Sequence, residues 1–239
     1  FPVSNWIIKL AKKIGGADES QQDISKVFLD DRMLETPGIA LQSTVNEVAR
    51  MGKIVEETLD AAGRVLFTQS RDEIQSIAES ENTVDRLSDG ITEYAIKLTS
   101  LQSSEKEHQD VAHLLHIVSD MERICDYCEN ISEYAQTLYE KKLSFSEVGS
   151  AQLKEMLDVC IDSYKYALQA FEEGSREKAL TVVEKETRAD DLEIALRSKH
   201  IKRLTSNQCN TEVGIVFLDS LVCLERISDH ARHLAEEVT

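Results

Sequence analysis

Two prolines and nine glycines are all that punctuate 239 residues. So few breakers exclude a chain of many short strands and favour long, uninterrupted helices. Aromatic residues are only 5% of the total, which counts against a β-sandwich core. No run of about 18 apolar residues occurs, so no segment here spans a bilayer by itself. Positive charge is in deficit: 27 Lys and Arg face 44 Asp and Glu, a formal net charge of −17. Such a chain repels the phosphates of nucleic acid and suits a protein that gathers cations. The five cysteines (Cys125, Cys128, Cys160, Cys209 and Cys223) are odd in number and lack the spacing of a disulfide framework. With no secretory leader in view, they read as belonging to a reducing, cytosolic compartment. There is no nucleophile elbow, phosphate-binding loop or dinucleotide fingerprint.

What is present is a phrase that occurs twice. Glu122-Arg123-Ile124-Cys125-Asp126 and Glu225-Arg226-Ile227-Ser228-Asp229 stand 103 positions apart. A doubled phrase at a fixed offset is the mark of an internal repeat. On a helix, Glu and Asp four residues apart share a face and repel unless something positive lies against them. Arg123 and Arg226 are one answer, a bound cation the other.

The chain starts at Phe1 rather than Met and reads as a cut or processed piece. Trp6, Ile7, Leu10 and Ile14 recur at helical spacing among Lys9, Lys12 and Lys13, the pattern of an interfacial amphipathic helix or a short packing helix. Gly15-Gly16 and the polar stretch to Asp23 read as a linker, so residues 1–34 are expected to be an amphipathic segment and linker, either juxtamembrane or packed on the bundle. Thr36-Pro37 starts a first helix, with Ile39, Val45, Val48, Met51, Val55, Leu59 and Ala62 as its stripe. Ser70 with Glu73, and Ser104 with Glu107, make capping boxes for two more. The third carries Leu114, Ile117, Met121, Ile124, Cys128, Ile131, Ala135 and Leu138 in the alternation of a bundle helix. Ser144 with Glu147 could cap a fourth, which Gly174 ends. A fifth runs from about Ser175, and a sixth carries Phe217, Leu221, Leu224, Ile227, Ala231 and Leu234. The expected fold is all-α: two tandem three-helix bundles, at 35–143 and 144–239, with sequential helices antiparallel.

The middle helix of each trio carries the Glu-x-x-x-Asp pattern as well, in Glu81/Asp85 and Glu186/Asp190. Glu81 falls on the apolar stripe between Ile77 and Val84, and Glu186 and Asp190 lie between Val183 and Ile194. A carboxylate turned toward a core must be compensated by arginine, protonation or metal. Two such helices could set four carboxylates around one cation, in a shell suited to Mg²⁺, Ca²⁺, Mn²⁺ or iron. Cys125-x-x-Cys128 reads as core packing. His113-x-x-His116 and His230-x-x-His233 are weak signals, and a di-iron oxidase would need Glu-x-x-His on two helices.

The doubled Glu-Arg-Ile-x-Asp, with the run from Val213 through Asp219 into Leu224 to His230, resembles the PhoU family of phosphate-uptake regulators, over roughly residues 35–239. Leu29-Asp30-Asp31-Arg32-Met33-Leu34-Glu35-Thr36-Pro37 looks like the join before the PhoU-like tail of bacterial sodium/phosphate cotransporter-like proteins. The resemblance implies a six-helix fold, no enzymatic activity, and a regulatory domain at the cytoplasmic face of the bacterial inner membrane. Its partner would be a membrane transporter domain in the same polypeptide, with a homodimer also admitted. It further implies divalent or trivalent metal ions (iron, zinc, magnesium, manganese or calcium), held by Glu81, Asp85, Glu122, Asp126, Glu186, Asp190, Glu225 and Asp229. The family commonly has Asn four residues after the last motif Asp. Asn130 keeps it, whereas His233 replaces it, so the halves are expected to differ in metal binding. The alternative is a metal-free helical scaffold held by Arg–carboxylate pairs.

Overall fold

The computed structural model describes residues 26–101, 105–206 and 208–238. The amphipathic start, the linker and Ser104 of the expected capping box lie outside them. After a short 3-10 turn at Asp31–Glu35, six helices follow: α1 (Pro37–Thr68), α2 (Arg71–Leu101), α3 (Glu105–Lys141), α4 (Glu147–Glu173), α5 (Arg176–Thr205) and α6 (Thr211–Glu236). The described residues contain no strand.

Local chemistry accounts for most boundaries. Pro37 sits at the first position of α1 behind Thr36, though the Thr36 hydroxyl makes no capping bond. Ser70 Oγ accepts from the Glu73 amide. The fourth helix is not capped by Ser144. Ser146 takes that place and accepts from Gly149 N at 3.2 Å. Both serines precede Glu147, and only Ser146 directly abuts the helix. Gly174 ends α4 at φ 61, a left-handed conformation that glycine adopts without strain.

Within each trio every helix touches the other two, α1 with α2 and α3, and α4 with α5 and α6. The trios join along two seams, α3 against α6 and α1 against α4. One apolar core runs through both, from Met51 and Val55 through Met121 and Ile124 to Tyr164, Leu168, Leu224 and Ile227. The expected stripes of α3 and α6 are buried in full. At the α1–α4 seam Gly52 lets the backbones approach. A β-carbon there would stand 2.5 Å from Leu168 Cδ1 and 2.9 Å from Met121 Cε. Tyr164, fully buried, donates its hydroxyl proton to the Gly52 carbonyl at 2.9 Å.

Two stripe assignments need correction. Ile39 on α1 is exposed. On α5, Val183 and Ile194 are exposed, and Ala179, Val182, Ala189 and Leu196 face the core instead. The segment before α1 is held against the first trio. Phe28 N donates to Glu47 Oε1 at 3.1 Å, Arg50 donates to the Lys26 carbonyl at 2.9 Å, and Tyr94 donates to the Asp30 carbonyl at 3.2 Å.

Candidate metal centre

The helix period brings Glu81 and Asp85 of α2 onto the edge facing Asp126 of α3. One carboxylate oxygen from each lies within 4.8 Å of the others. Glu122, a turn before Asp126, accepts from Ser88 Oγ at 2.7 Å. Glu129, a turn beyond, adds its field to Glu81 and is itself raised by burial and by the charges of Glu133, Asp126 and Asp85. Glu81, Glu122, Asp126 and Glu129 are half-buried. Burial first, then the charges of Asp85, Glu129 and Asp126, push the Glu81 carboxyl up to about 7. Burial also raises Asp126 and Glu129, and for Asp126 the Arg123 guanidinium works in the opposite direction. Arg123 is 3.3 Å from Asp126 with its side chain 59% exposed, too wet a contact to balance the cluster.

A raised carboxyl has a definite sign in stability. Folded Glu81 holds its proton to about pH 7, against an ordinary value of 4.5. Its contribution is therefore fully present below the lower value and is lost as pH rises through the higher one. In chelator, Glu81→Gln is expected to melt with the wild type near pH 5 and a few degrees above it near pH 8. Thermal melts across this range decide it. Parallel curves would mean that the acids do not strain one another.

The second half arranges corresponding acids and settles them differently. Arg232 Nε donates to Glu186 Oε1 at 3.1 Å, Nη2 to Asp229 Oδ1 at 2.8 Å, and Nη1 to Glu236 Oε1 at 2.5 Å. The arginine is raised still further by Asp229 and Glu236, against the opposing effect of its burial. Burial, then Asp190, raises Glu186, while Arg232 lowers it. Glu225 is raised by burial and by Asp190, Asp229 and Glu193, against Arg226 at 3.4 Å. The structure thus gathers Glu81, Asp85 and Asp126, with Glu122 beside them, in one half. In the other it gathers Glu186, Asp190, Glu225 and Asp229.

The cation that binds the second set together is Arg232. Sequence reasoning pointed to Arg123 and Arg226, both of which lie at exposed edges. At the offset of the doubled phrase, Arg232 answers to Glu129. The repeat therefore inverts charge one turn beyond the motif, and aligning the two phrases for three more residues would have revealed it. The donor set of the first half is all carboxylate and fits a hard or borderline cation. The second half, with a guanidinium bonded to two of its acids, does not fit one as it stands. Cys125 and Cys128 are both buried, and burial pushes both thiols up, so they stay protonated packing groups.

The PhoU domain family model matches residues 48–135 and 153–238, within α1–α3 and α4–α6 respectively. The chain is 27% identical over 194 residues to a phosphate-specific transport system accessory protein, PhoU homolog 1, of Thermotoga maritima, covering 81% of this chain and 83% of that protein. It is 23% identical over 231 residues to a putative inorganic phosphate export protein, YjbB, of Salmonella typhimurium. That match covers 95% of this chain but 42% of the longer protein. The fold is similar to the crystal structure of PhoU from Pseudomonas aeruginosa. The TM-score is 0.79 at 22% identity, over 83% of this chain and 94% of that one.

Proposed function

The chain belongs to the PhoU domain family, and from that premise we propose that it regulates phosphate transport with a metal ion held in its first repeat. The ligands are Glu81, Asp85 and Asp126, with Glu122 completing the set when it turns from Ser88. The observation that carries this reading is the convergence of three carboxylates within 4.8 Å, Glu81 and Asp126 of them half-buried, beside one mostly exposed arginine. A bound cation would supply the charge that the acids otherwise draw from protons. Glu81 and Asp85 on α2, and Asp126 on α3, would then tie two helices together by their own carboxylates.

We also propose that the chain serves as the regulatory module of a longer phosphate transporter, at the cytoplasmic face of a bacterial membrane. Support comes from its likeness to a named phosphate export protein more than twice its matched share in length. The segment at 26–35 lies against the first repeat through Phe28 with Glu47 and Asp30 with Tyr94, which agrees with a chain entering the bundle there.

Elemental analysis of protein purified without chelator tests the metal reading. Wild-type protein is expected to carry one more equivalent of metal than Glu81→Gln with Asp126→Asn, because two of three donors at the carboxylate centre lose their charge. Equal metal in both overturns the assignment. The second reading, a metal-free scaffold, draws on Arg232, which pairs with two of the corresponding acids of the second repeat, Glu186 and Asp229. A clean absence of metal in the wild type selects it.

A further inference from the structure

A second group of candidate ligands lies away from the Glu-x-x-x-Asp pairs of the first repeat, on the α3–α6 seam. Asp120 of α3 and His230 and His233 of α6 each offer an atom within 4.8 Å of the others. His230 Nδ1 is 2.9 Å and His233 Nδ1 3.8 Å from the same oxygen, Asp120 Oδ1. Donors of a tetrahedral zinc site, bonded at about 2.0–2.1 Å, stand about 3.3 Å apart. The two distances straddle that value. The rings are nearly perpendicular, with an interplanar angle of 85° and centroids 5.8 Å apart. The Tyr127 ring lies against His230 at 5.9 Å between centroids. All three ligands are half-buried, at 14%, 19% and 41% side-chain exposure for Asp120, His230 and His233.

An open cleft of about 500 Å³ borders Asp120 and His233, with Leu115, His116, Glu236 and Glu237 among its other walls. It gives an ion a way in and leaves room for a water in the fourth position. We propose that Asp120, His230 and His233 form a binding site for a borderline divalent cation, zinc first, which clamps the closing helix of one repeat to that of the other. Two imidazoles and one carboxylate are a donor set that zinc takes and that Mg²⁺ and Ca²⁺ do not seek.

The surroundings hold the parts such a site needs. Arg232 Nη2 donates to His233 Nε2 at 2.9 Å, which leaves the ring proton on Nδ1, toward Asp120. An ion bound at Nδ1 moves that proton to Nε2. Asp229 Oδ1, 3.5 Å away, is placed to accept it, the carboxylate–histidine–metal arrangement found behind many metal ligands. Arg232 keeps its bonds to Asp229 and Glu186 meanwhile. His113 and His116 converge on Glu237 at the rim of the same cleft. They add a second pair of imidazoles near the mouth without joining the trio. The sites differ in chemistry as well as position: the first repeat offers oxygen alone, the seam offers nitrogen.

Zinc alone, titrated into chelator-stripped protein against a chromogenic competitor, tests the site. Wild type is expected to bind one tight equivalent. Glu81→Gln/Asp126→Asn, which disables the carboxylate centre, retains it. His230→Gln/His233→Asn loses it, with affinity at least about 100-fold weaker, since losing even an outer partner of a ligand costs 10- to 100-fold. Cobalt in place of zinc is expected to give the visible absorption of a four-coordinate ion only where the histidines remain. Should the double histidine variant fail to keep its helical circular dichroism, the single variants His233→Asn and Asp120→Asn carry the same expectation. Zinc affinity that no histidine variant changes overturns the proposal, and so does a six-coordinate cobalt spectrum in the wild type.

Discussion

Arg232→Glu is expected to do two opposite things at once. In chelator it removes the guanidinium that bonds Glu186, Asp229 and Glu236 and puts a further negative charge among them. Breaking a buried ion pair costs about 3–5 kcal/mol. With the Arg232 side chain 24% exposed, a discounted cost of about 2–3 kcal/mol is reasonable. That is a fall of roughly 5–10 °C in Tm for a chain of this size. With a divalent cation added, the loss is expected to reverse. The variant gives the second repeat the charge pattern that Glu129 gives the first, and its metal content is expected to rise by one site. Arg232→Met separates the terms: it loses the pairing without supplying a new acid. If Arg232→Glu melts low and stays low with metal, the second repeat cannot be turned into a copy of the first by charge alone.

Tyr164→Ala is expected to cause the largest loss of stability of any single change proposed for this chain. Tyr164 is fully buried where α4 meets α1, and its hydroxyl is bonded to the Gly52 carbonyl. Truncating a buried aromatic ring costs about 3–5 kcal/mol, more where the surroundings cannot collapse. Here they cannot collapse easily. Leu168 and Met121 already fill the space beside Gly52 so closely that a β-carbon there would clash with both. The expected Tm drop is roughly 10 °C or more. Tyr164→Phe keeps the ring and loses only the hydrogen bond, so about 1 kcal/mol is expected. Denaturant melts of the two variants check the order. Near-equal losses would place the stability in the hydroxyl rather than in the filled volume.

The helices and their order were legible from apolar spacing because α3 and α6 bury wide, regular stripes of large side chains. The fifth helix was misread for the converse reason. Its buried face holds Ala179, Val182, Ala189 and Leu196, two of them alanine, while larger Val183 and Ile194 lie outside. Size misled where helices approach closely. The cap of α4 was placed two residues early because Ser144 and Ser146 both precede Glu147, and only the backbone geometry at Ser146 distinguishes them.

The Glu-x-x-x-Asp spacing was legible in the sequence and puts each pair on one helix face; that Glu81 and Asp85 meet Asp126 follows from the packing of α2 on α3. The neutralisation of the acids was not legible. It turns on Arg232, three residues past the second phrase where Glu129 stands past the first, and the doubled phrase ends short of both. Asp120 was invisible for another reason. It lies outside every repeat of the motif, and only the docking of α3 on α6 carries it to the histidines.

The apolar interior passes from one repeat to the other without interruption, and this bears on how such a duplicated chain must be handled. A half severed after α3 would offer the flank of Met51, Cys128 and Ile124 to water with nothing to cover it. Two severed halves would find each other or precipitate. A hinge between them has no hydrated gap in which to swing, so any message crossing this protein passes as a small shift of interlocked side chains rather than as the opening of a jaw.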